Sequence, residues 1–217
     1  MKPEPRFERD ESAILDTHHA PRDIHDRIAL RVVKTMRIFA DAFFSKRYGH
    51  RAVVLETVAA VPGMVGGLLR HLKAVRHIRD DQGWIRELLD EAENERMHLM
   101  TFIQIAQPSR AERLLIMVAQ AIFYNLFFFT YLFAPRTAHR IVGYLEEEAV
   151  VSYTQYLAEI DAGRQENVPA PGLAIDYWSL PEGARLREVV IKVRADEAHH
   201  RDTNHGFANR IMEGTDP

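Results

Sequence analysis

Two Glu-x-x-His pairs constrain the fold of this chain more than any other feature. Glu95 is followed by His98, and Glu197 by His200, each within a segment whose apolar residues recur at helical spacing. Residues i and i+3 share one face of a helix, so each pair directs a carboxylate and an imidazole to the same point. The chain is therefore expected to place at least two helices side by side with these polar positions turned inward.

The apolar periodicity predicts an all-α protein with six long helices and almost no strand. The predicted helices are Ile24–Phe44, Arg51–Ile78, Gly83–Ala106, Arg110–Phe133, Pro135–Ala162 and Pro181–Met212. The segment Gly163–Leu180 contains two prolines and two glycines and is predicted to be the main loop. At 217 residues the chain is expected to form one domain over residues 1–217, with residues 1–23 as an extended or partly disordered arm.

The amino-acid composition limits the metal ligands and binding partners that are possible for this chain. The chain has no cysteine, which excludes disulfides, thiolate metal sites and catalytic thiols. Any metal ligands must therefore be histidine, aspartate or glutamate. The formal net charge of −3 gives no support for nucleic-acid binding.

Two further glutamates complete a metal-binding pattern. Glu56 lies in an otherwise apolar helix, and Glu146 begins a run of three glutamates on another helix. Together with the two Glu-x-x-His pairs, they give the order found in ferritin-like four-helix bundles with a di-metal site. Four carboxylates and two imidazoles suit a pair of iron or manganese ions, and burying that many anions without cations would be unfavourable. The prediction is a ferritin-like four-helix bundle with two additional long helices that form a membrane-facing surface.

The segment Leu114–Phe133 contains no formal charge and is long enough to cross a membrane. Ser109 and Glu112 form a capping-box pattern at its start, and Pro135 follows its end. A true span here would place the first Glu-x-x-His pair on the opposite side from the second. The segment is therefore predicted to be the crossover helix of the bundle, with its outer face dipping into one leaflet.

A basic amphipathic helix supports the same orientation. Arg27, Arg31, Lys34 and Arg37 lie on one side of the first predicted helix. Such a helix is typical of a membrane interface, although an ordinary surface helix has the same pattern. With the crossover helix, it predicts a monotopic protein that lies on the membrane.

Tyr153 is two helical turns beyond Glu146 and shares its face. Beside an O2-activating metal pair, a tyrosine can supply an electron and a proton. A buried tyrosine more commonly packs and donates one hydrogen bond. The spacing leaves both roles open.

Four sequence blocks resemble those of the alternative oxidases, which are cyanide-insensitive ubiquinol oxidases. The blocks are Arg51–Thr57, Asn94–Leu99, Leu145–Ala149 and Arg194–Asp202. The resemblance extends from about Arg27 to about Phe207. It implies a peripheral membrane homodimer that oxidises ubiquinol and reduces O2 to water at a di-iron centre without pumping protons.

The resemblance also implies specific site residues. The iron ligands would be Glu56, Glu95, His98, Glu146, Glu197 and His200, with the first of the three adjacent glutamates selected by the family pattern. Tyr153 matches the family's essential tyrosine. The positions around the ligands would be Asn94, His139, Trp84, Asp196, Tyr177 and Trp178. The quinol-binding residues would be Arg51, Leu55, Glu148, Ala149 and Ser152, the last of which is commonly threonine in the family.

The chain also departs from the plant members of that family. It lacks their regulatory cysteines, so thiol control of a dimer is not expected. It shows no organellar presequence, so a bacterial protein on the cytoplasmic face of the inner membrane is expected. Other functions stay open at this point. They are a membrane-bound di-iron hydroxylase acting on a quinone ring, a non-enzymatic ferritin-like iron-binding protein, and a metal-free helical membrane scaffold.

Overall fold

The computed structural model describes residue 15, residues 17–44 and residues 48–217, with only the backbone given for residues 43 and 44. Seven α-helices and no strand are present in this part of the chain. They are α1 Ile24–Phe44, α2 Tyr48–His77, α3 Trp84–Ala106, α4 Arg110–Phe133, α5 Pro135–Asp161, α6 Gly172–Trp178 and α7 Leu186–Met212. The predicted all-α fold class is confirmed. Most of the predicted N-terminal arm, residues 1–14 and 16, lies outside the described residues.

The predicted start of the last helix is wrong. The helix α7 begins at Leu186 rather than at Pro181. The backbone before it pairs with the preceding loop, because the N–H of Leu186 donates to the carbonyl of Val168 at 2.8 Å. The carbonyl of Ala184 accepts a similar bond from the loop. These long-range backbone bonds hold the segment extended until the helix begins.

The predicted main loop is also not wholly irregular. It contains the short helix α6, which ends where Ser179 adopts a left-handed conformation with φ of 52°. By contrast, α4 begins and ends at the predicted residues. Its capping box is present, because Ser109 and Glu112 each bond the other's backbone N–H, at 3.3 Å and 2.8 Å.

The bundle consists of two antiparallel helix pairs. One pair is α2 with α3, which are joined by a short turn and approach very closely at Gly63. A Cβ atom added to Gly63 would lie 2.3 Å from the carbonyl oxygen of Leu88. The other pair is α5 with α7, whose antiparallel course follows from two cross-links: Arg140 bonds His205, and Arg187 bonds Asp161.

Two longer helices pack outside these pairs. The helix α4 crosses from the end of α3 to the start of α5 and contacts α2 and α5, while α1 packs mainly on α5. By length and composition, Tyr48–His77 and Arg110–Phe133 could each cross a membrane. The apolar window of α2 is 61% buried within the protein, whereas that of α4 is only 17% buried. The outer surface of α4 is therefore largely apolar and uncovered.

A polar layer divides the apolar core. One cluster includes Val53, Phe102 and Val193, and a second includes Val61 and Val142. Glu56 and Glu146 lie between these clusters along their helices, and the predicted ligands of α3 and α7 lie between the first cluster and a third that includes Leu88 and Phe207. The bundle thus encloses carboxylates and imidazoles at mid-height, with apolar packing on both sides.

Candidate metal centre

Four ligand-type side chains converge at the centre of the bundle. Glu56 on α2, Glu95 and His98 on α3, and Glu197 on α7 are all buried. One oxygen or nitrogen atom of each lies within 4.8 Å of the corresponding atom of every other. The helical spacing thus brings together residues that are far apart in the sequence.

The other two predicted ligands adjoin this group. The Nδ1 atom of His200 lies 2.7 Å from Oε1 of Glu95 and 3.7 Å from Oε2 of Glu197. Glu146 is buried on α5 and shares a hydrogen bond with Glu197. Four helices therefore contribute six side chains to one buried volume.

Several buried atoms of this cluster have no hydrogen-bond partner within the described structure. They are both carboxylate oxygens of Glu95, Oε2 of Glu197 and Nδ1 of His200. The short contact between His200 and Glu95 lacks the geometry of a hydrogen bond. Orphaned buried polar atoms are rare in proteins, and atoms that approach one another without bonding are arranged as ligands of a common centre. The donor set of carboxylate oxygens and imidazole nitrogens fits a pair of iron or manganese ions.

Burial and mutual repulsion act on two of the carboxyl groups. Burial raises the pKa of Glu56 well above its ordinary value, and the carboxylates of Glu197 and Glu95 raise it further. Burial raises the pKa of Glu146 in the same way, again with help from Glu197 and Glu95. Both effects disfavour the charged form of an acid. Cations placed among these groups would remove the repulsion.

The pKa values of Glu95, His98 and His200 shift in the opposite sense, which favours their charged forms. Burial alone would raise the pKa of Glu95, but His98 and His200 lower it well below its ordinary value. Burial would lower the pKa of His98, but Glu95 and Asp196 raise it well above its ordinary value. The pKa of His200 is raised against burial by Glu197 and Glu95. Metal ions would displace the protons from these imidazoles, because a ligating histidine must be neutral.

Four of the predicted surrounding residues form one network beside His98. Oδ2 of Asp196 is 3.2 Å from Nε2 of His98 and accepts bonds from Trp178 Nε1 at 2.8 Å and Asn94 Nδ2 at 3.1 Å. Asn94 also donates to the hydroxyl of Tyr177 at 3.0 Å. The ring of Trp178 stacks on that of His98, with centroids 5.7 Å apart. A carboxylate on the outer nitrogen of a histidine fixes the ring's orientation toward a metal.

The remaining two predicted surrounding residues, His139 and Trp84, lie elsewhere. They contact each other edge to face, with ring centroids 5.9 Å apart. Nδ1 of His139 bonds Asn204, whose amide also donates to both carboxylate oxygens of Glu91. Sequence reasoning missed Asn204 and Glu91. The available signal was helical spacing, since Glu91 is one turn before Glu95 and Asn204 is one turn after the second Glu-x-x-His pair.

Tyr153 reaches the metal cluster from α5. Its hydroxyl donates to Oε1 of Glu56, and its ring stacks on Phe102 with centroids 5.6 Å apart. Burial raises the pKa of Tyr153 well above its ordinary value, and the nearby carboxylates of Glu56 and Glu197 add to this. The phenol is therefore protonated and bonded to a candidate ligand.

The predicted quinol-binding residues lie on α2 and α5, next to α1. Arg51 is buried and bonds Asp41 at 2.5 Å. Arg37 bonds the same aspartate at 2.8 Å and Glu148 at 3.0 Å, so α1 connects the two charged residues of this group. Its other members are the half-buried Leu55 and Ala149 and the buried Ser152.

The bundle and its polar layer define a class of protein: a helical bundle whose interior holds a carboxylate–histidine cluster able to bind metal ions. Within that class, the chain belongs to the alternative oxidase family, whose family model matches residues 8–209. The resemblance of the four sequence blocks is thereby confirmed.

Named relatives agree with this assignment. Alternative oxidase 3, mitochondrial, of Glycine max is 57% identical over 205 residues, which are 94% of this chain and 63% of that protein. Ubiquinol oxidase 2, mitochondrial, of Arabidopsis thaliana is 59% identical over 197 residues, covering 91% of this chain and 56% of the relative. The ubiquinol oxidase, mitochondrial, of Batrachochytrium dendrobatidis is 60% identical, with 90% and 62% covered. The chain thus spans less than two thirds of the length of these relatives.

Proposed function

We propose that this chain is a di-iron ubiquinol oxidase that reduces O2 to water without pumping protons. The observation that supports it most is the convergence of the six predicted ligands in one buried volume of a family member. In the proposed site, Glu56, Glu95, His98, Glu146, Glu197 and His200 hold two iron ions. When bound, the irons supply the redox chemistry toward O2.

The protein's own groups bind, orient and move protons. Asp196 orients His98, and the apolar layers above and below the site exclude water. The phenol of Tyr153 would lend one electron to the reduction of O2 and its proton to Oε1 of Glu56, which already accepts its hydrogen bond, and ubiquinol would return both. Two ubiquinols provide the electrons and protons that convert one O2 into two waters, so the reaction balances without other reductants.

Ubiquinol is proposed to bind beside Arg51, Leu55, Glu148, Ala149 and Ser152. Arg51 and Glu148 offer a donor and an acceptor to the quinol oxygens, and Ser152 supplies a hydroxyl where the family commonly has threonine. The half-buried Leu55 and Ala149 fit an apolar ring. Because α1 bonds both charged residues, its position is expected to govern entry to this group.

The proposed partner surface is one leaflet of a membrane, and the proposed location is the cytoplasmic face of a bacterial inner membrane. The exposed apolar side chains of α4, including Leu126 and Phe129, support the first part. Exposed Phe39 and Ile38 on α1 extend the apolar surface, and basic residues on that helix suit anionic lipid. The double variant Leu126→Glu, Phe129→Glu is expected to lose binding to anionic vesicles in a flotation assay while remaining folded. Undiminished binding would contradict this surface.

A homodimer is also proposed. Met64, Leu68, Leu72 and Val75 form an exposed apolar stripe on α2, on one face of the helix. An isologous dimer could bury this stripe against its own copy. Light scattering of the detergent-solubilised protein tests this, and Leu68→Glu is expected to give the monomer.

The proposed activity is tested by oxygen uptake. Purified, iron-loaded protein is given a short-chain ubiquinol with and without cyanide, and the quinone product is identified. The expected result is cyanide-resistant uptake of one O2 for every two quinols, with water as the reduced product. Glu197→Ala is expected to lose both iron and uptake.

The other outcomes identify the competing functions. A hydroxylated ring would identify a quinone hydroxylase. Iron-loaded protein with no uptake would indicate an iron-binding protein without oxidase activity. A full oxidase rate in Glu197→Ala would refute the proposed metal ligands.

A further inference from the structure

Six carboxylate residues are buried in the described part of the chain. Four are the proposed glutamate ligands, and the other two are Asp26 and Glu91. Asp26 forms a direct ion pair with Arg140, at 2.8 Å. Glu91 has no ion-pair partner among the described residues, although its surroundings are fully enclosed. An isolated buried carboxylate is unfavourable and calls for a source of compensating charge.

Glu91 lies close to the proposed metal ligands without belonging to them. It precedes Glu95 by one turn of α3. Its two oxygens accept bonds from Nδ2 of Asn204 at 3.1 Å and 2.9 Å. The same amide nitrogen also bonds the backbone carbonyl of His200, at 3.0 Å. One amide therefore links Glu91 to the helix segment that contains two of the ligands.

A directed chain of hydrogen bonds leads from Asn204 to Arg70. Oδ1 of Asn204 is 2.9 Å from Nδ1 of His139, and Nε2 of His139 is 2.9 Å from the hydroxyl of Tyr131. That hydroxyl accepts from Nε of Arg70 at 3.2 Å. Since arginine only donates, Tyr131 must donate onward to His139, and His139 to Asn204. Every donor in the chain therefore points toward Glu91.

The hydrogen-bonded chain has the cation Arg70 at one end and the carboxylate Glu91 at the other, with neutral groups between them. Arg70 stacks over Trp84 at 4.1 Å and also pairs with Asp216 at 3.0 Å, beside a surface recess. Burial lowers the pKa of His139 to about 3 and raises that of Tyr131, so both are neutral at physiological pH. Burial raises the pKa of Glu91 to about 7, against the effect of His200. Metal cations nearby would favour its ionised form.

We propose that Glu91 is a buried anion that compensates the added positive charge of the oxidised metal pair. The hydrogen-bonded chain that begins at Arg70 holds it in place. The inference rests on the proposed di-iron function. Glu91 acts through its charge and touches neither metal nor substrate, so it is a positioning residue.

The physical reason is charge balance. The four ligand carboxylates balance two divalent ions, and oxidation adds positive charge that they do not balance. Charges and hydrogen bonds around a metal site set its reduction potential. A fixed anion at Glu91 stabilises the oxidised pair more than the reduced pair and therefore lowers the potential.

The test is a redox titration of the iron-loaded protein and the variant Glu91→Gln, followed by electron paramagnetic resonance. Glutamine keeps the shape and, through its carbonyl oxygen, one of the two bonds from Asn204, but removes the charge. At a fixed ambient potential we expect about a tenfold higher ratio of reduced to oxidised iron, equivalent to about 59 mV for a one-electron step. Iron content is expected to be unchanged. The matched control is Asp90→Asn, an adjacent carboxylate that is exposed and paired with Arg86.

A second variant tests the hydrogen-bonded chain from Arg70 instead of the charge of Glu91. Tyr131→Phe removes the hydroxyl that joins Arg70 to His139, and we expect a shift in the same direction but smaller. Thermal unfolding of both variants shows that the titrated protein is folded. Because the hydroxyl of Tyr131 bonds Arg70 and His139 and no proposed ligand, a shifted potential would show that the hydrogen-bonded chain acts on the metal pair.

Several results would overturn the inference. Equal potentials in Glu91→Gln and Asp90→Asn would mean that Glu91 holds no charge relevant to the metals. Loss of iron in Glu91→Gln would make it a ligand. An unaltered reduction potential in Tyr131→Phe would show that the hydrogen-bonded chain from Arg70 has no effect on the metal pair. Wild-type protein without redox-active iron would instead refute the proposed function, so the two failures are distinguishable.

Discussion

The side chain of Tyr153 meets the proposed metal centre only through its hydroxyl group, which donates to Glu56. Tyr153→Phe removes that hydroxyl and leaves the ring stacked on Phe102. We expect the variant to keep its iron and to lose turnover by about 10²-fold, as is typical when a proton-transferring group is removed. Iron analysis and oxygen uptake with ubiquinol measure the two effects.

Tyr156 provides the matched control. It is also buried, but it stacks on Tyr48 instead of reaching the cluster. Tyr156→Phe is therefore expected to turn over at nearly the wild-type rate. If Tyr153→Phe also retained normal turnover, the tyrosine would only pack, which is the role that the sequence left open.

A second residue governs stability in acid. Burial lowers the pKa of His139 to about 3 from its ordinary value of 6.5. Between these values the unfolded chain binds a proton at this residue and the folded chain does not. The free energy of unfolding therefore falls as the pH falls through that window, by ~1.4 kcal/mol per pH unit for one proton.

The variant His139→Gln removes this titration and can still accept from Tyr131 and donate to Asn204. Urea denaturation between pH 6 and 4 measures the dependence in both proteins. The variant's stability is expected to fall less steeply with acidification, by about the contribution of one proton. Parallel curves would show that His139 is protonated in the folded state.

At the scale of the elements, the contact of α2 with α3 depends on Gly63. A Cβ atom there would lie 2.3 Å from a backbone carbonyl of α3, which cannot move without shifting the helix. Gly63→Ala is expected to destabilise the protein by about 1–3 kcal/mol, the usual effect of overpacking. Gly206 on α7 has open space around it, so Gly206→Ala is expected to stabilise by about 0.5–1 kcal/mol. Equal effects in chemical denaturation would contradict this assignment of the close contact.

The helices were predictable to the extent that local signals determine them. The capping box of Ser109 and Glu112 and the break at Pro135 fixed both ends of α4. The start of α7 was not predictable in this way, because Pro181 is a favourable first residue of a helix. The helix nevertheless begins later, because backbone hydrogen bonds with residues 168–170 hold residues 184–186 extended. No local sequence pattern predicts these bonds.

The residues of the proposed site also divide into those that local sequence signals predict and those that only tertiary packing brings together. The inward position of four proposed ligands was predictable because a Glu-x-x-His pair specifies both residue type and helix face, and that of Glu56 because it stands in an apolar helix. Glu91 was not, because a glutamate in a segment rich in charge is ordinarily solvated. Its burial depends on Asn204, which comes from another helix, and on a chain of partners spread from Arg70 to Tyr131. Such partnerships arise only from tertiary packing.

Across the whole molecule, the two helix pairs meet through the polar layer. Tyr153 joins α5 to α2, while Asp196 and Asn204 join α7 to α3. The proposed metal ions would add ligand bonds among the same four helices. Metal binding is therefore expected to contribute to the stability of the entire bundle as well as to catalysis.

Removing the iron with a chelator is accordingly expected to lower the thermal midpoint. Free iron at 100 times its Kd stabilises the folded state by about 2.7 kcal/mol, and each kcal/mol shifts the midpoint by about 2–4 °C in a chain of this size. The expected loss is therefore on the order of 5–11 °C, measured by calorimetry before and after chelation.

The variant Glu146→Gln separates metal binding from packing. Its amide can donate to Glu197, as the protonated acid does, while the site loses one anionic ligand. We expect its midpoint to equal or exceed that of the iron-free wild type, because the buried amide is neutral without having to take up a proton, and to respond little to added iron. A variant that gained as much from iron as the wild type would show that Glu146 is not a ligand. A wild type indifferent to chelation would show that the polar layer holds the two helix pairs together without metal.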